Sequence, residues 1–267
     1  MGDDILPSWL RPKAGSAHLW HDGRFDKTDD GYPEHGRRSI VAQAGEELYN
    51  PVLHDRIIYR KTARDTNGEL MRVDLFVSPH GSNPLHVHPF QEEYFKAISG
   101  TLGVQVGDEY RWLEDGEEAV VPPGTPHRWW NDSDKEEAHV LAELRPALNS
   151  ETFFQTGYGL ARDGKTDENG APNLLQQAVT LTGINKGEIY LASPSVAVQK
   201  ALLAVLAPVG RMLGYKDHYP RYSAEDGKEG AGPPSTASVI SRGALLVGGL
   251  VVVSALLVGK SRHRRKD

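Results

Sequence analysis

Two short segments of the chain gather the residue types that hold a metal ion. The first is Gly81-Ser-Asn-Pro-Leu-His86-Val-His88-Pro-Phe-Gln-Glu92-Glu93, with Gly100 seven positions beyond Glu93. The second is Gly116-Glu-Glu-Ala-Val-Val-Pro122-Pro-Gly124-Thr-Pro-His127-Arg-Trp-Trp-Asn131. His86 and His88 are two apart, so on a strand both imidazoles leave the same face. Pro89 breaks that strand, which lets Glu93 return on a neighbour, and His127 follows a Pro-Gly turn on a third. Three imidazoles and one carboxylate make a mixed nitrogen and oxygen set. It suits iron, manganese, nickel, copper or zinc, and the set alone does not choose among them. Four such ligands on an octahedral metal leave two positions for substrate, water or dioxygen. The 267 residues include no cysteine, so thiolate ligands, disulfides and cysteine nucleophiles are excluded.

Short strands must position these groups. From about Asp55 the chain runs in brief alternating stretches. In Leu70 to Val77, Met71, Val73, Leu75 and Val77 share one face while Arg72 and Asp74 take the other. Further runs follow at Tyr94–Ile98, Leu102–Val106, Tyr110–Leu113, Ala119–Val121, His127–Trp130 and Ala138–Leu144, punctuated by Ser99-Gly100, Gly107-Asp108, Asp115-Gly116 and Asn131-Asp132. This spacing predicts an all-β sandwich or small barrel. Strand parity places Phe95 with Glu93 and Trp129 with His127. Phe95 and Trp129 are therefore candidates to line a substrate pocket, with plain core as the alternative. His139, Glu143 and Arg145 share a face of the last strand and are candidates for pocket polarity. Asn131 reads as a turn residue.

The two segments resemble the paired motifs of the cupin superfamily, G-x5-H-x-H-x3,4-E-x6-G and G-x5-P-x-G-x2-H-x3-N. The second motif is met at Gly116, Pro122, Gly124, His127 and Asn131. The first is met from His86 to Gly100, but only four residues separate Gly81 from His86. The resemblance implies a cupin-type jelly-roll barrel whose metal ligands are His86, His88, Glu93 and His127. Glu92 is the rival to Glu93, and the spacing to Gly100 selects Glu93. The implied cofactor is one divalent transition metal, iron or manganese before nickel, copper or zinc. The implied activity is that of a dioxygenase-like oxidoreductase on a small organic substrate. A non-catalytic ligand-binding cupin and a cupin isomerase are the alternatives.

The rest of the chain is read by composition. Residues 1–50 read as an irregular N-terminal arm, 51–148 as the barrel, and 149–222 as a helical extension. Within the extension, helices are expected from Ser150 or Glu151 through Phe154, over Asn173–Leu181, and over Ser195–Ala207, the last ended or kinked by Pro208. Residues 223–238 read as a linker, 239–259 as a transmembrane helix, and 260–267 as a basic tail. The membrane reading rests on a charge-free run from Gly243 to Gly259 beside five basic residues. No secretory signal leads the chain, so a single-pass C-terminal anchor with the remaining domain in the cytosol is expected. Residues 1–259 carry 25 Lys and Arg against 35 Asp and Glu, which argues against nucleic acid as a partner. A homodimer is compatible with the sequence.

Overall fold

A computed structural model describes residues 20–21, 24–25, 42–223, 232–235 and 238–239. Thirteen strands and three α-helices occur among them. A two-residue hairpin pairs β1 (Trp20–His21) with β2 (Arg24–Phe25). The next strands are β3 (Glu47–Asn50), β4 (Asp55–Lys61), β5 (Met71–Val77), β6 (His86–Val87), β7 (Glu92–Ser99) and β8 (Leu102–Val106). They are followed by β9 (Glu109–Leu113), β10 (Glu118–Val121), β11 (His127–Trp130) and β12 (Ala138–Arg145). Then come α1 (Ser150–Arg162), α2 (Leu174–Thr182), β13 (Tyr190–Leu191) and α3 (Val196–Met212). A 3-10 turn at Pro220–Tyr222 follows.

The larger strands form two antiparallel sheets. One has the order β10-β7-β12-β5-β4-β3 and the other β13-β6-β11-β8-β9. Period-two alternation drives the stacking. Met71, Val73, Leu75 and Val77 of β5 and Phe95 and Ala97 of β7 meet Leu102, Val104 and Leu113 of the opposite sheet in one buried cluster. A smaller cluster joins Val87 of β6 to Ala178 of α2, Tyr190 of β13, and Leu203 and Ala207 of α3. The helices of the extension thus cover the back of β6.

Several expectations are corrected here. The closed barrel is not formed. Among the described residues β10 pairs only with β7, β3 only with β4, β13 only with β6 and β9 only with β8, so the two sheets keep open edges there and stack as a sandwich. The transmembrane helix is also corrected. Among the described residues no helix is long and apolar enough to cross a membrane, and the longest, α3, carries Lys200 and Arg211. The run assigned to the span, 239–259, lies outside the described residues except Val239. The membrane location and cytosolic orientation drawn from that run lose their structural basis with it.

Smaller differences have local causes. Residues 47–50, expected within an irregular arm, form edge strand β3 because Leu48 and Asn50 bury one face against β4. Helix α1 extends past Phe154 to Arg162, since Tyr158, Leu160 and Ala161 continue its buried face. Pro208 neither ends nor interrupts the assignment of α3 as helix. It removes one backbone donor, while Ala207 and Gly210 keep that end of the helix packed.

Beneath α1 lies a buried polar network. Tyr158 donates its hydroxyl to Asp55, and Tyr59 donates to the Glu151 carbonyl at 3.3 Å. Burial pushes the Asp55 carboxyl up to about 7, against the opposing effect of the Tyr158 hydrogen bond. A raised acid pKa means that the folded state holds a proton the unfolded chain has released. This group's contribution therefore falls as pH rises from about 4 to about 7 and is constant above. Urea midpoints measured at pH 5 and pH 8 are expected to drop less for Asp55→Asn than for the parent chain. An equal drop in both would show that Asp55 is not the titrating group.

Candidate metal centre

His86 stands directly opposite His127 where β6 pairs with β11. Directly opposite residues project to the same side of a sheet, and the two rings lie 4.2 Å apart between centroids. His88 follows β6 by one residue and presents its ring 5.0 Å from His86 and 5.4 Å from His127. Glu93 comes from the other sheet, on β7, where it pairs with Val121 of β10. One donor atom from each of His86, His88, Glu93 and His127 lies within 4.8 Å of the others, and all four residues are buried. The donors therefore span the interior between the sheets.

Backbone turns fix the approach of these strands. Asn83 accepts from the Trp129 amide through its side chain at 2.8 Å and donates its own amide to the Trp129 carbonyl at 3.2 Å. This ties the run before His86 to β11. Gly124 adopts a φ of +77° and donates its amide to the His88 carbonyl at 2.8 Å, linking the two motifs. Gly81 sits so tightly that an added Cβ would lie 2.7 Å from the His54 carbonyl. It lies one position nearer His86 than the motif glycine and occupies a close backbone turn.

Each imidazole is oriented by a carbonyl. His86 Nδ1 lies 2.8 Å from the Pro84 oxygen, His127 Nδ1 2.8 Å from the Thr125 oxygen, and His88 Nδ1 3.2 Å from the Glu188 oxygen. A carbonyl only accepts, so all three rings carry a proton on Nδ1 and leave Nε2 for a cation. His127 Nε2 stands 2.6 Å from Glu93 Oε2. A lone pair and a carboxylate come that close only with a proton or a cation between them. This donor set fits a divalent transition metal.

The electrostatics agree with that fit. Burial, reinforced by neighbouring His127, drives the His86 pKa well below its usual value and that of His88 to about 3. Both rings are therefore neutral at pH 7, as ligation requires. For His127, burial opposes protonation, but the Glu93 hydrogen bond and charge outweigh it and raise the pKa.

The structure separates the remaining candidates. Glu92 points to the other face of β7, is only half-buried, and opposes Arg145 on β12. Burial raises its pKa, with Arg145 opposing the shift. Phe95 and Trp129, 2% and 6% exposed, both belong to the main core cluster. His139, Glu143 and Arg145 face away from the interior, because Ala138, Val140, Ala142 and Leu144 take the inner side of β12. His139 instead stacks on Phe76 at 4.3 Å, and Glu143 is held by Arg72 and Arg145. Asn131 is structural, donating to the Val77 and Glu136 carbonyls at 2.8 Å each.

Three positions around the site were absent from the sequence reading. Gln91 is buried, and its amide nitrogen donates to the Pro146 and Ala147 carbonyls and the Ser150 hydroxyl. Its side chain borders His88. Glu188 supplies the carbonyl to His88, and its carboxylate accepts from Asn149. No local pattern marks these residues, because their partners lie tens of positions away.

Residues 75–142 match the family model described as Cupin domain. The chain is 30% identical to a probable oxidoreductase, virH, of Hypocrea virens over 209 residues, which is 72% of this chain and 92% of that protein. It is also 30% identical to an oxidoreductase of Arthrobotrys oligospora over 156 residues, 53% of this chain and 60% of that protein. The chain thus spans less than two thirds of the Arthrobotrys relative. Among solved structures it is similar to KdgF from Halomonas sp. at 16% identity and a TM-score of 0.36, covering 42% of this chain and 99% of that one.

Phe95→Ala is expected to cost about 3–5 kcal/mol of stability, as for a fully buried aromatic. Urea unfolding checks this, and a cost below about 1 kcal/mol would instead fit a ring that lines an open pocket.

Proposed function

Because the chain belongs to the cupin superfamily, we propose that it is an oxidoreductase that holds one divalent transition metal on His86, His88, Glu93 and His127 and acts on a small organic molecule. The observation that carries this reading is the set of four buried donors within 4.8 Å, contributed by both sheets. The names of the Hypocrea and Arthrobotrys relatives support the class of reaction. A bound transition metal supplies Lewis-acid and one-electron chemistry.

The protein's own residues do the rest. The carbonyls of Pro84, Thr125 and Glu188 hold the three rings so that ligation needs no reorientation. Burial of all four donors keeps bulk water away from them and strengthens their interactions. Glu93 Oε2, already beside His127 Nε2, is the carboxylate oxygen placed to hold or move a proton. Iron or manganese is the proposed occupant, as the mixed imidazole and carboxylate set allows.

Elemental analysis of the purified chain is expected to find about one transition metal per molecule. His86→Ala and His88→Ala should each lower metal content at least about tenfold. Glu93→Gln should weaken retention, while Glu92→Gln leaves it unchanged. Dioxygen consumption in the presence of phenolic and diketone compounds should fall in parallel with metal content. Turnover that survives in metal-free protein would overturn the assignment.

A further inference from the structure

The three imidazoles are not held alike. His86 and His127 each use a carbonyl two residues earlier, Pro84 and Thr125. His88 has no such local partner. Its carbonyl comes from Glu188, one hundred residues later, in the extension between α2 and β13. We propose that the turn 185–192 of the extension is a built part of the metal centre, with Glu188 and Asn149 as positioning residues that orient His88. This rests on the metal-binding reading above and deepens it.

The turn is attached at every step along the ligand strand. Tyr190 pairs with Val87 and Leu191 with His86, so β13 adds an edge strand beside β6. The Ala192 amide donates to the Leu85 carbonyl at 3.1 Å. The turn also has an internal brace. The buried Asn185 side chain accepts from the amides of Glu188 and Ile189 at 3.1 and 3.2 Å. It has an external anchor as well. Both Glu188 carboxylate oxygens are engaged, Oε2 by the Asn149 amide at 3.0 Å and Oε1 by Asn149 Nδ2 at 2.6 Å.

Asn149 in turn occupies the N-cap position of α1, its side chain turned to Glu188. The Glu188 side chain is therefore fixed to the start of α1, directly after β12, while its carbonyl lies 3.2 Å from His88 Nδ1. A residue with one end anchored in each way transmits the position of the extension to a ligand ring. Loss of the carboxylate removes the anchor to Asn149, so the Glu188 carbonyl is held by the turn alone and orients the His88 ring less strictly. Loss of such an outer partner weakens metal binding by about 10–100-fold in general.

The test is a titration of the metal-stripped full chain with Co(II), followed by the visible d–d absorbance of the bound ion. Glu188→Ala and Asn149→Ala should each weaken Co(II) binding by about 10–100-fold and change the band shape. Glu188→Gln keeps an acceptor for the Asn149 amide and should restore affinity and spectrum close to the parent. A merely structural role would lower thermal stability without moving the band or being rescued by the amide. If Glu188→Ala loses its cooperative thermal transition, the comparison is read from Asn149→Ala. Parent-like affinity and spectrum in the folded alanine variants would overturn this inference alone. Failure of the parent chain to bind Co(II) at all would overturn the metal-binding reading with it.

Discussion

The site depends on bringing three imidazoles and one carboxylate into a space without bulk water. Burial of a carboxylate is costly unless a charge or a proton compensates it. Glu93 finds its compensation in His127, which it meets across the interior from the opposite sheet. The contact therefore exists only when the two sheets are stacked. The apolar cluster that stacks them, with Phe95 beside Glu93 on β7 and Trp129 beside His127 on β11, is thus also what assembles the donors. The residues that stack the sheets therefore also hold the candidate donors together.

The second feature is how the open edge of the ligand sheet is managed. An unpaired edge at β6 would leave His86, and His88 just beyond it, on a two-residue strand with little to hold it. β13 pairs with that edge, and α2 and α3 bury Val87 on its outer side. The ligand strand is short, but it is covered on its flank and its back. The extension is consequently integrated with the centre through hydrogen bonds and an apolar seam, in addition to being its sequence neighbour.

The outward face of the six-stranded sheet follows different rules. Asp74 is held by Arg60 and lies 3.4 Å from His139 Nε2, and Glu143 is held by Arg72 and Arg145. Arg56 lies over the Phe76 ring at 3.8 Å, and Phe76 stacks on His139. These groups form a charged and aromatic lattice across β4, β5 and β12 that faces away from the candidate metal centre. Polar residues on one strand face can thus mark a satisfied surface network as readily as a pocket. On β12 only the identity of the apolar positions decides which face looks inward.

Much of this was legible from residue order. Alternation located the strands, and histidines two apart had to project together. The resemblance to the cupin motif singled out Glu93 over Glu92, and the strand geometry sends those two carboxylates to opposite faces. These are local properties, set by a backbone repeat of two and by turn chemistry. The sequence could not decide closure, because an open edge depends on which strands find partners. It could not reveal the Glu188, Asn149 and Gln91 contacts, because they join residues up to one hundred positions apart. The periodicity of the chain located the strands, and the paired motifs on them named the candidate donors. The tertiary packing alone decided that four donors meet, which nitrogen each ring turns inward, and that the C-terminal extension helps to hold them, since those depend on distances through space that no local repeat encodes.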